Sequence, residues 1–138
     1  MLHVARSTKA SSLLAASARL RAAIPEAAPE GRESVELTTV DDVLADALPS
    51  CRRILLKLDV QGSERAALEG ARASLERIAL VEAELPRQPL YEGAASFSEV
   101  HAWLAGRGFA WVGLAPNSVQ RDGTVLEVDA LFARLAAR

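Results

Sequence analysis

Residues 54–70 read ILLKLDVQGSERAALEG, and this stretch decides the fold. Its apolar residues do not alternate with polar ones up to Val60, which predicts a strand buried on both faces, as in a parallel sheet covered by helices. Asp59 falls near the carboxyl end of this strand. Gly62 permits a sharp reversal, and Glu64 suits the first turn of a helix, where the helix dipole favours an anion. The stretch therefore predicts the strand, turn and helix of an α/β protein.

Strands and helices are predicted to alternate along the rest of the chain. The predicted strands span residues 2–5, 35–38, 54–59, 78–85, 109–114 and 125–132. The predicted helices span residues 12–23, 39–48, 63–75 and 96–108. Residues 25–32 read as a linker, and a polar turn through residues 116–123 separates the last two strands. Because strands joined only by a turn pair antiparallel, we expect a mostly parallel sheet that ends in an antiparallel hairpin.

Short-range patterns mark where two of the helices begin. Thr39 with Asp42, and Ser96 with Glu99, have the spacing of a capping box. Gly70 lies inside the predicted helix 63–75, where glycine costs about 1 kcal/mol relative to alanine. We therefore expect another part of the chain to pack closely against Gly70.

Composition and charge limit the class of protein. With 138 residues and 50% hydrophobic content, the chain is predicted to form one domain, which buries about 68% of its unfolded surface. The net charge of −2 and the lack of a basic stripe argue against nucleic-acid binding. The lone Cys51 excludes an internal disulfide, which indicates either a reducing compartment or indifference to redox, and the composition favours a cytoplasmic location. His3 and His101 lack cysteine or acidic neighbours at metal-ligand spacing, so we expect no zinc site.

The first 25 residues permit another interpretation. They contain Arg6, Lys9, Arg19 and Arg21 and no acidic residue, a composition that is also typical of an amphipathic transit peptide. Their longest apolar stretch, residues 13–16, is too short for the hydrophobic core of a secretory signal peptide or for a membrane span. We therefore expect no association with a membrane.

Acidic residues lie near the ends of the two central predicted strands. Asp59 either caps the next helix or contributes to a site, since ligands of open parallel sheets bind at the carboxyl edge. Glu82 and Glu84 are two apart on a strand and so face the same side. If the two strands are neighbours, Glu84 and Asp59 come close and could act as a general base or hold a divalent cation. The alternative is that the glutamates form ion pairs with arginines such as Arg52 or Arg87.

Three further polar residues have open roles. Lys57 interrupts an apolar strand, and we expect it to reach solvent or pair with a carboxylate, since an unpaired buried ammonium is costly. Glu64 is either a partner of the helix dipole or a catalyst. Tyr91 follows the second central strand in a loop, where it either contacts a substrate or covers the end of the sheet.

Several segments of the chain resemble the FkbM family of S-adenosylmethionine-dependent methyltransferases. Residues 57–71 match the family pattern K-x-D-x-[EQ]-G-x-E…L-x-G-A. Similar segments, in the family's order, are SSLL at 11–14, VELTTVDDVL at 35–44, VEAEL at 81–85, PLYEG at 89–93, GF at 108–109 and VLEVDALFAR at 125–134. The resemblance covers nearly all of the chain.

The resemblance implies the Rossmann-like sheet of class I methyltransferases and S-adenosylmethionine as cofactor. It implies O-methylation of a small hydroxyl-bearing acceptor, such as a sugar or a polyketide-like metabolite. The implied site roles are Asp59 and Glu84 in catalysis, Asp59 and Gln61 in cofactor binding, and Glu64 and Tyr91 in acceptor binding. In such a reaction the protein supplies proximity and a group that removes the proton of the acceptor.

Two elements of the family's pattern are missing from the sequence: the glycine loop after the first strand, and an acidic residue after the second strand that binds the ribose hydroxyls. Class I methyltransferases hold the cofactor with a glycine loop after the first strand, whereas the close glycine pair of this chain, Gly106 and Gly108, ends a predicted helix. We therefore expect residues 1–138 to be a single partial domain that is poorly active alone. The alternatives are a non-catalytic binding module and one subunit of a split enzyme. The apolar edge left uncovered predicts a homo-oligomer, or a separate N-terminal half as partner.

Overall fold

The computed structural model describes residues 1–45 and 53–135. The described strands are β1 (Leu2–Ala5), β2 (Pro29–Glu33), β3 (Ile54–Leu58), β4 (Ile78–Pro86), β5 (Phe109–Val119) and β6 (Val125–Arg134). The described helices are α1 (Ala18–Ala23), α2 (Val40–Leu44), α3 (Glu64–Glu69) and α4 (Phe97–Ala105). The predicted helix end at residue 48 and the residues Cys51 and Arg52 lie outside the described residues.

The main sheet has four strands in the order β3-β4-β6-β5. β3 and β4 pair in parallel, with Leu56 opposite Val81, and β6 pairs antiparallel with both β4 and β5. The predictions that β3 and β4 are parallel neighbours and that β6 lies beside an edge are confirmed. The mostly parallel, Rossmann-like sheet expected from the sequence is confirmed only in part, since β3, β4 and β5 run in one direction and β6 runs opposite to them. Because β6 is inserted between β4 and β5, it forms antiparallel pairs on both sides, and the sheet is mixed.

Strand β3 is covered on one face only. Leu58 is buried and Leu56 packs against the core, whereas Leu55 on the opposite face is 57% exposed. The prediction of a strand buried on both faces was therefore wrong for the described part of the chain. No described strand pairs with the outer edge of β3, and its apolar side chains line an open groove shared with α2.

Helix α3 is shorter than predicted. It ends at Glu69 and not at residue 75, because Gly70 caps it and the chain turns toward a short 3₁₀ helix, Leu75–Arg77. A methyl group at Gly70 would lie 3.3 Å from Cβ of Thr39, so the close packing predicted there is confirmed. The amide of Asp41 also donates to the carbonyl oxygen of Gly70 at 2.8 Å. The start of α2 is thus fixed against the end of α3.

Both predicted capping boxes are confirmed. The hydroxyl of Thr39 accepts from the amide of Asp42 at 3.1 Å, and the Asp42 carboxylate accepts in return from the Thr39 amide. Ser96 and Glu99 exchange the same pair of hydrogen bonds at the start of α4. These contacts satisfy amides that have no partner within the first turn of a helix.

The N-terminal segment departs furthest from the predicted pattern. Helix α1 begins at Ala18 and not at residue 12, because Ser17 caps it and Ser12 pairs with His3 in an extended bridge. Residues 25–32 are not a linker, since they contain a 3₁₀ turn and most of β2, which pairs antiparallel with β1. Residues 35–38, predicted as a strand, form none. Proline suits the first position of β2 because that position needs no amide donor.

Strand β5 is longer than predicted, since it runs to Val119 and not to residue 114. Pro116 and Asn117 lie within β5 instead of in the turn, which occupies residues 120–124. The pairing of β5 with β6 shifts register near Pro116, and such a bulge tolerates a proline at the edge of a sheet. The bulge brings Asn117 to the polar face of β6.

Two apolar clusters hold these elements together. The larger lies between the main sheet and helices α3 and α4, and its fully buried members include Leu68, Leu104 and Phe132. The smaller joins the N-terminal segment to the loop after β4, through Leu20 and Tyr91. Through this second cluster, the N-terminal segment packs over the carboxyl ends of β3 and β4. Within the described ranges, no helix is long and apolar enough to cross a membrane.

Candidate functional site

The turn after β3 forms the floor of the candidate site. Gln61 has a φ of 49° and Gly62 a φ of 95°, so two successive residues adopt the left-handed conformation. For glutamine this conformation is uncommon and has an energetic cost. The buried Ser12 donates its hydroxyl proton to the carbonyl oxygen of Gln61 at 2.6 Å, which fixes the turn from the N-terminal segment.

The Gln61 side chain connects the groups that were predicted from the sequence to lie at the carboxyl edge of the sheet. Its amide nitrogen Nε2 donates to Oδ1 of Asp59 and to Oε2 of Glu84, both at 2.8 Å. Its amide oxygen accepts from the hydroxyl of Tyr91 at 2.8 Å. The prediction that Asp59 and Glu84 come close is therefore confirmed, with Gln61 as the bridge. Every hydrogen-bonding atom of the Gln61 amide is occupied.

Glu84 is held by two side-chain amides. Its second carboxylate oxygen, Oε1, accepts from Nδ2 of Asn117 at 2.5 Å, and the same nitrogen donates to Asp129 at 3.1 Å. Burial, together with the negative charges of Glu127 and Asp59, raises the pKa of Glu84 to about 7. Glu84 therefore changes its charge near neutral pH.

Glu64 turns back toward the loop that precedes it. Its carboxylate accepts from the amides of Gly62 at 3.1 Å and Val60 at 3.3 Å, and the residue is 3% exposed. Burial raises its pKa, against the lowering effect of these hydrogen bonds. The geometry agrees with the alternative in which Glu64 has a structural role in the first turn of α3, where it stabilises the loop before the helix. Its contact with an acceptor stays a prediction.

Tyr91 covers the end of the sheet. The residue is 3% exposed, its ring lies against Gly62, and its hydroxyl also lies 3.2 Å from the carbonyl oxygen of Ala10. Burial, together with the surrounding carboxylates, raises the pKa of the phenol. Tyr91 is thus a neutral hydrogen-bond donor that orients Gln61, and its predicted contact with an acceptor stays a prediction.

Lys57 and Glu82 form a pair apart from this network. Their side chains lie 2.5 Å apart, which confirms that Lys57 pairs with a carboxylate. Hydrogen bonding to Glu82, and its charge, raise the pKa of Lys57. Among the described residues, Glu82 contacts Lys57 and Glu84 contacts amides, and neither forms an ion pair with Arg87; Arg52 lies outside the described residues. Glu82 and Glu84 therefore play different roles.

Three residues of this site were not predicted from the sequence. Asn117 donates to Glu84 and to Asp129, and Glu127 faces the same space from β6. Burial raises the pKa of Glu127 to about 7, with further contributions from Glu64, Asp59 and Asp129. Glu127 and Asp129 could have been predicted from their two-residue spacing on a predicted strand, which places both side chains on the same face.

These side chains line one cavity of about 670 Å³ at the carboxyl ends of β3 and β4. One wall comes from the N-terminal segment and the other from β5 and β6. The lining residues include Ser7, Lys9, Asp59, Gln61, Glu84, Tyr91, Asn117 and Glu127. Among the described residues, no group of three or more His, Cys, Asp or Glu side chains is arranged to hold a metal ion. The carboxylates in the lining can accept hydrogen bonds and take up a proton.

Comparison with known proteins agrees with the resemblance seen in the sequence. The family model for the methyltransferase FkbM domain matches residues 2–110, which contain β1 to β4 and the turn at Gln61. No curated protein and no solved structure matches the chain. The matched residues make up most of the chain, and the chain belongs to the methyltransferase FkbM domain family.

Proposed function

We propose that this chain takes part in S-adenosylmethionine-dependent O-methylation of a small hydroxyl-bearing acceptor, such as a sugar or a polyketide-like metabolite. Membership of the methyltransferase FkbM domain family supports the reaction class. The observation that carries the proposal is a polar cavity of about 670 Å³ in which two carboxyl groups have pKa values near 7. A group of this kind can remove a hydroxyl proton at neutral pH.

The polar groups of the cavity fit part of the cofactor. S-adenosylmethionine carries an ammonium group and ribose hydroxyls, all hydrogen-bond donors, and the cavity presents carboxylate oxygens to such donors. Asp59 would hold one of these donors, and Gln61 would fix the orientation of Asp59. When bound, the cofactor supplies an electrophilic methyl group on sulfonium sulfur.

The acceptor would enter from the side of the N-terminal segment. Ser7 and Lys9 line this part of the cavity, Asn117 lines the opposite wall, and all three can bind hydroxyl groups. Tyr91 and Glu64 lie deeper, where they hold the turn in place. The protein's contribution would be to orient the acceptor oxygen, exclude water and remove the proton. A cytoplasmic location and a homo-oligomeric state remain part of this proposal.

A second candidate is a non-catalytic binding module or a subunit of a split enzyme. It is favoured by the described strands, because β1 is followed by Arg6 and Ser7 and not by a glycine loop, and the Gly106–Gly108 pair lies at the end of α4. The same cavity would then bind an acceptor without a complete cofactor site. The two candidates differ in cofactor affinity.

The test is methyl transfer from tritium-labelled S-adenosylmethionine to a panel of sugars and polyketide-like alcohols. The chain is assayed alone and together with a separately expressed glycine-loop half of an FkbM protein. We expect weak cofactor binding and little transfer by the chain alone, and transfer with the added half. Asp59→Asn should then reduce turnover more than Glu64→Gln. Acceptor binding without transfer in either form would support the binding module instead.

A further inference from the structure

Glu127 differs from the other carboxylates of the cavity in its contacts. It lies on β6 between Pro86 of β4 and Ser118 of β5, and its side chain is half-buried. No hydrogen bond or ion pair from any described residue reaches its carboxylate. A half-buried carboxylate without a donor is costly, because it loses hydration without compensation. Among the described carboxylates that line the cavity, Glu127 is therefore the one that no side-chain or backbone donor holds.

Glu84 is in the opposite situation. Each of its two oxygens accepts from a side-chain amide, Gln61 on one side and Asn117 on the other. Each of these amides also holds another carboxylate, Asp59 or Asp129. If Glu84 turned toward an acceptor, these contacts would be lost together. Its contacts suit a residue that orients the site.

We propose that Glu127 is the general base of the methyl transfer and that Glu84 is a positioning residue. The inference rests on the proposed function. As the acceptor oxygen forms its bond to the methyl carbon, the bond from that carbon to the cofactor sulfur breaks and its electron pair stays on sulfur. The O–H bond of the acceptor breaks, and its proton passes to a carboxylate oxygen of Glu127. Charge is balanced, since a sulfonium and a carboxylate become a neutral thioether and a carboxylic acid.

The charges around Glu127 suit this role. Burial and the carboxylates of Glu64, Asp59 and Asp129 raise its pKa to about 7. Glu84 and the neutral phenol of Tyr91 face the same cavity. Among the described residues that line it, Lys9 is the basic one. A carboxylate with this pKa is ionised in about half of the molecules at neutral pH and binds a proton more strongly than an ordinary glutamate.

The test compares Glu127→Gln and Glu84→Gln in whichever form of the protein transfers methyl groups, with Glu76→Gln, an exposed residue outside the cavity, as the control. For Glu127→Gln we expect kcat to fall by about 10²- to 10⁴-fold with little change in the KM of the acceptor. The rate of the unaltered protein should rise with pH to a plateau above about 7, and this rise should disappear in Glu127→Gln. Glu84→Gln should raise KM and keep the pH-dependent rise.

A second measurement does not depend on turnover. NMR titration of the side-chain carboxyl carbons, made on the chain without cofactor, should give Glu127 a midpoint near pH 7. Glu127→Gln should melt no lower than the unaltered chain, because the amide removes repulsion among carboxylates. A midpoint near that of an exposed glutamate, or full turnover in Glu127→Gln, would overturn the assignment of Glu127 as the general base. Neither result would affect the proposed function. If the unaltered protein transfers no methyl group in either form, the proposed function fails and the assignment fails with it.

Discussion

Gly62 joins backbone conformation to the geometry of the site. Its φ of 95° lies in the region that side chains disfavour, and a methyl group there would approach Cβ and Cδ2 of Tyr91 to 3.0 Å. Tyr91 is buried and bonded to Gln61, so it has little freedom to move away. Two separate effects, strain and overlap, thus oppose any larger residue at this position.

We expect Gly62→Ala to lower the free energy of unfolding by about 3 kcal/mol, the sum of the left-handed conformation and the overpacking against Tyr91. Gly93→Ala is the matched control, because Gly93 has a φ of 77° and open space around its Cα. That variant should lose only about 1 kcal/mol. Denaturant unfolding followed by circular dichroism measures both, and equal losses would show that the Tyr91 contact is unimportant.

The site residues illustrate what could be predicted at this scale. Asp59 and Glu84 could be brought together from the sequence, because the carboxyl ends of neighbouring parallel strands meet at one edge. Gln61 could be named but not its bridging role, which depends on its positive φ. Asn117 could not be placed, because it reaches Glu84 only through the register shift in β5.

Among the elements, helix α2 is attached to the rest of the fold mainly through Asp41. The Asp41 carboxylate accepts from the amides of Ala73 at 2.9 Å and Ser74 at 2.8 Å, and from the Ser74 hydroxyl at 2.6 Å. Desolvation by burial opposes the change, but the hydrogen bonds together lower the pKa of Asp41. Ser74 is fully buried, so its donors have no ready replacement in water.

We expect Asp41→Ala to reduce the free energy of unfolding by about 2 kcal/mol, because donors at Ser74 lose a charged acceptor. Glu36→Ala provides the control, since Glu36 is exposed and lies outside any helix or strand. Thermal unfolding of the two variants side by side measures the difference. A loss no greater than that of the control would mean that water satisfies the Ser74 donors.

Elements with local signals were predicted better than elements defined by a distant partner. The capping boxes of α2 and α4 are complete within four residues, so the sequence shows both of their parts. Strand β2 has no such signal, since its residues are all exposed and it becomes a strand only by pairing with β1. The same holds for the length of β5, which follows β6 well beyond its apolar part.

At the scale of the whole molecule, the outer edge of β3 is not paired with any described strand, and apolar side chains lie beside it. Leu55 on β3 and Val43 on α2 are 57% and 65% exposed beside this edge. Unpaired apolar edges favour association with another chain. The homo-oligomer expected from the sequence has a surface of the right kind and stays a prediction. This surface lies apart from the cavity that contains Glu84 and Glu127.

The carboxyl groups of the cavity also tie the stability of the whole fold to pH. In the folded chain the pKa values of Glu84 and Glu127 are raised to about 7, from ordinary values of 4.5. Between these two values the folded chain binds more protons than the unfolded chain does. Stability from these groups is therefore fully present below the ordinary pKa and is lost as the pH rises toward 7.

We accordingly expect the melting temperature to fall between about pH 5 and about pH 8, with most of the change complete near pH 7. Glu84→Gln with Glu127→Gln should flatten this dependence, because the amides stay neutral in both states. Glu76→Gln keeps both cavity carboxyls and should retain the slope of the unaltered chain. Calorimetric scans across this pH range measure the effect. A melting temperature that rises with pH would show that both carboxyls are ionised at pH 5, and the cavity would then lack a group able to exchange a proton at neutral pH.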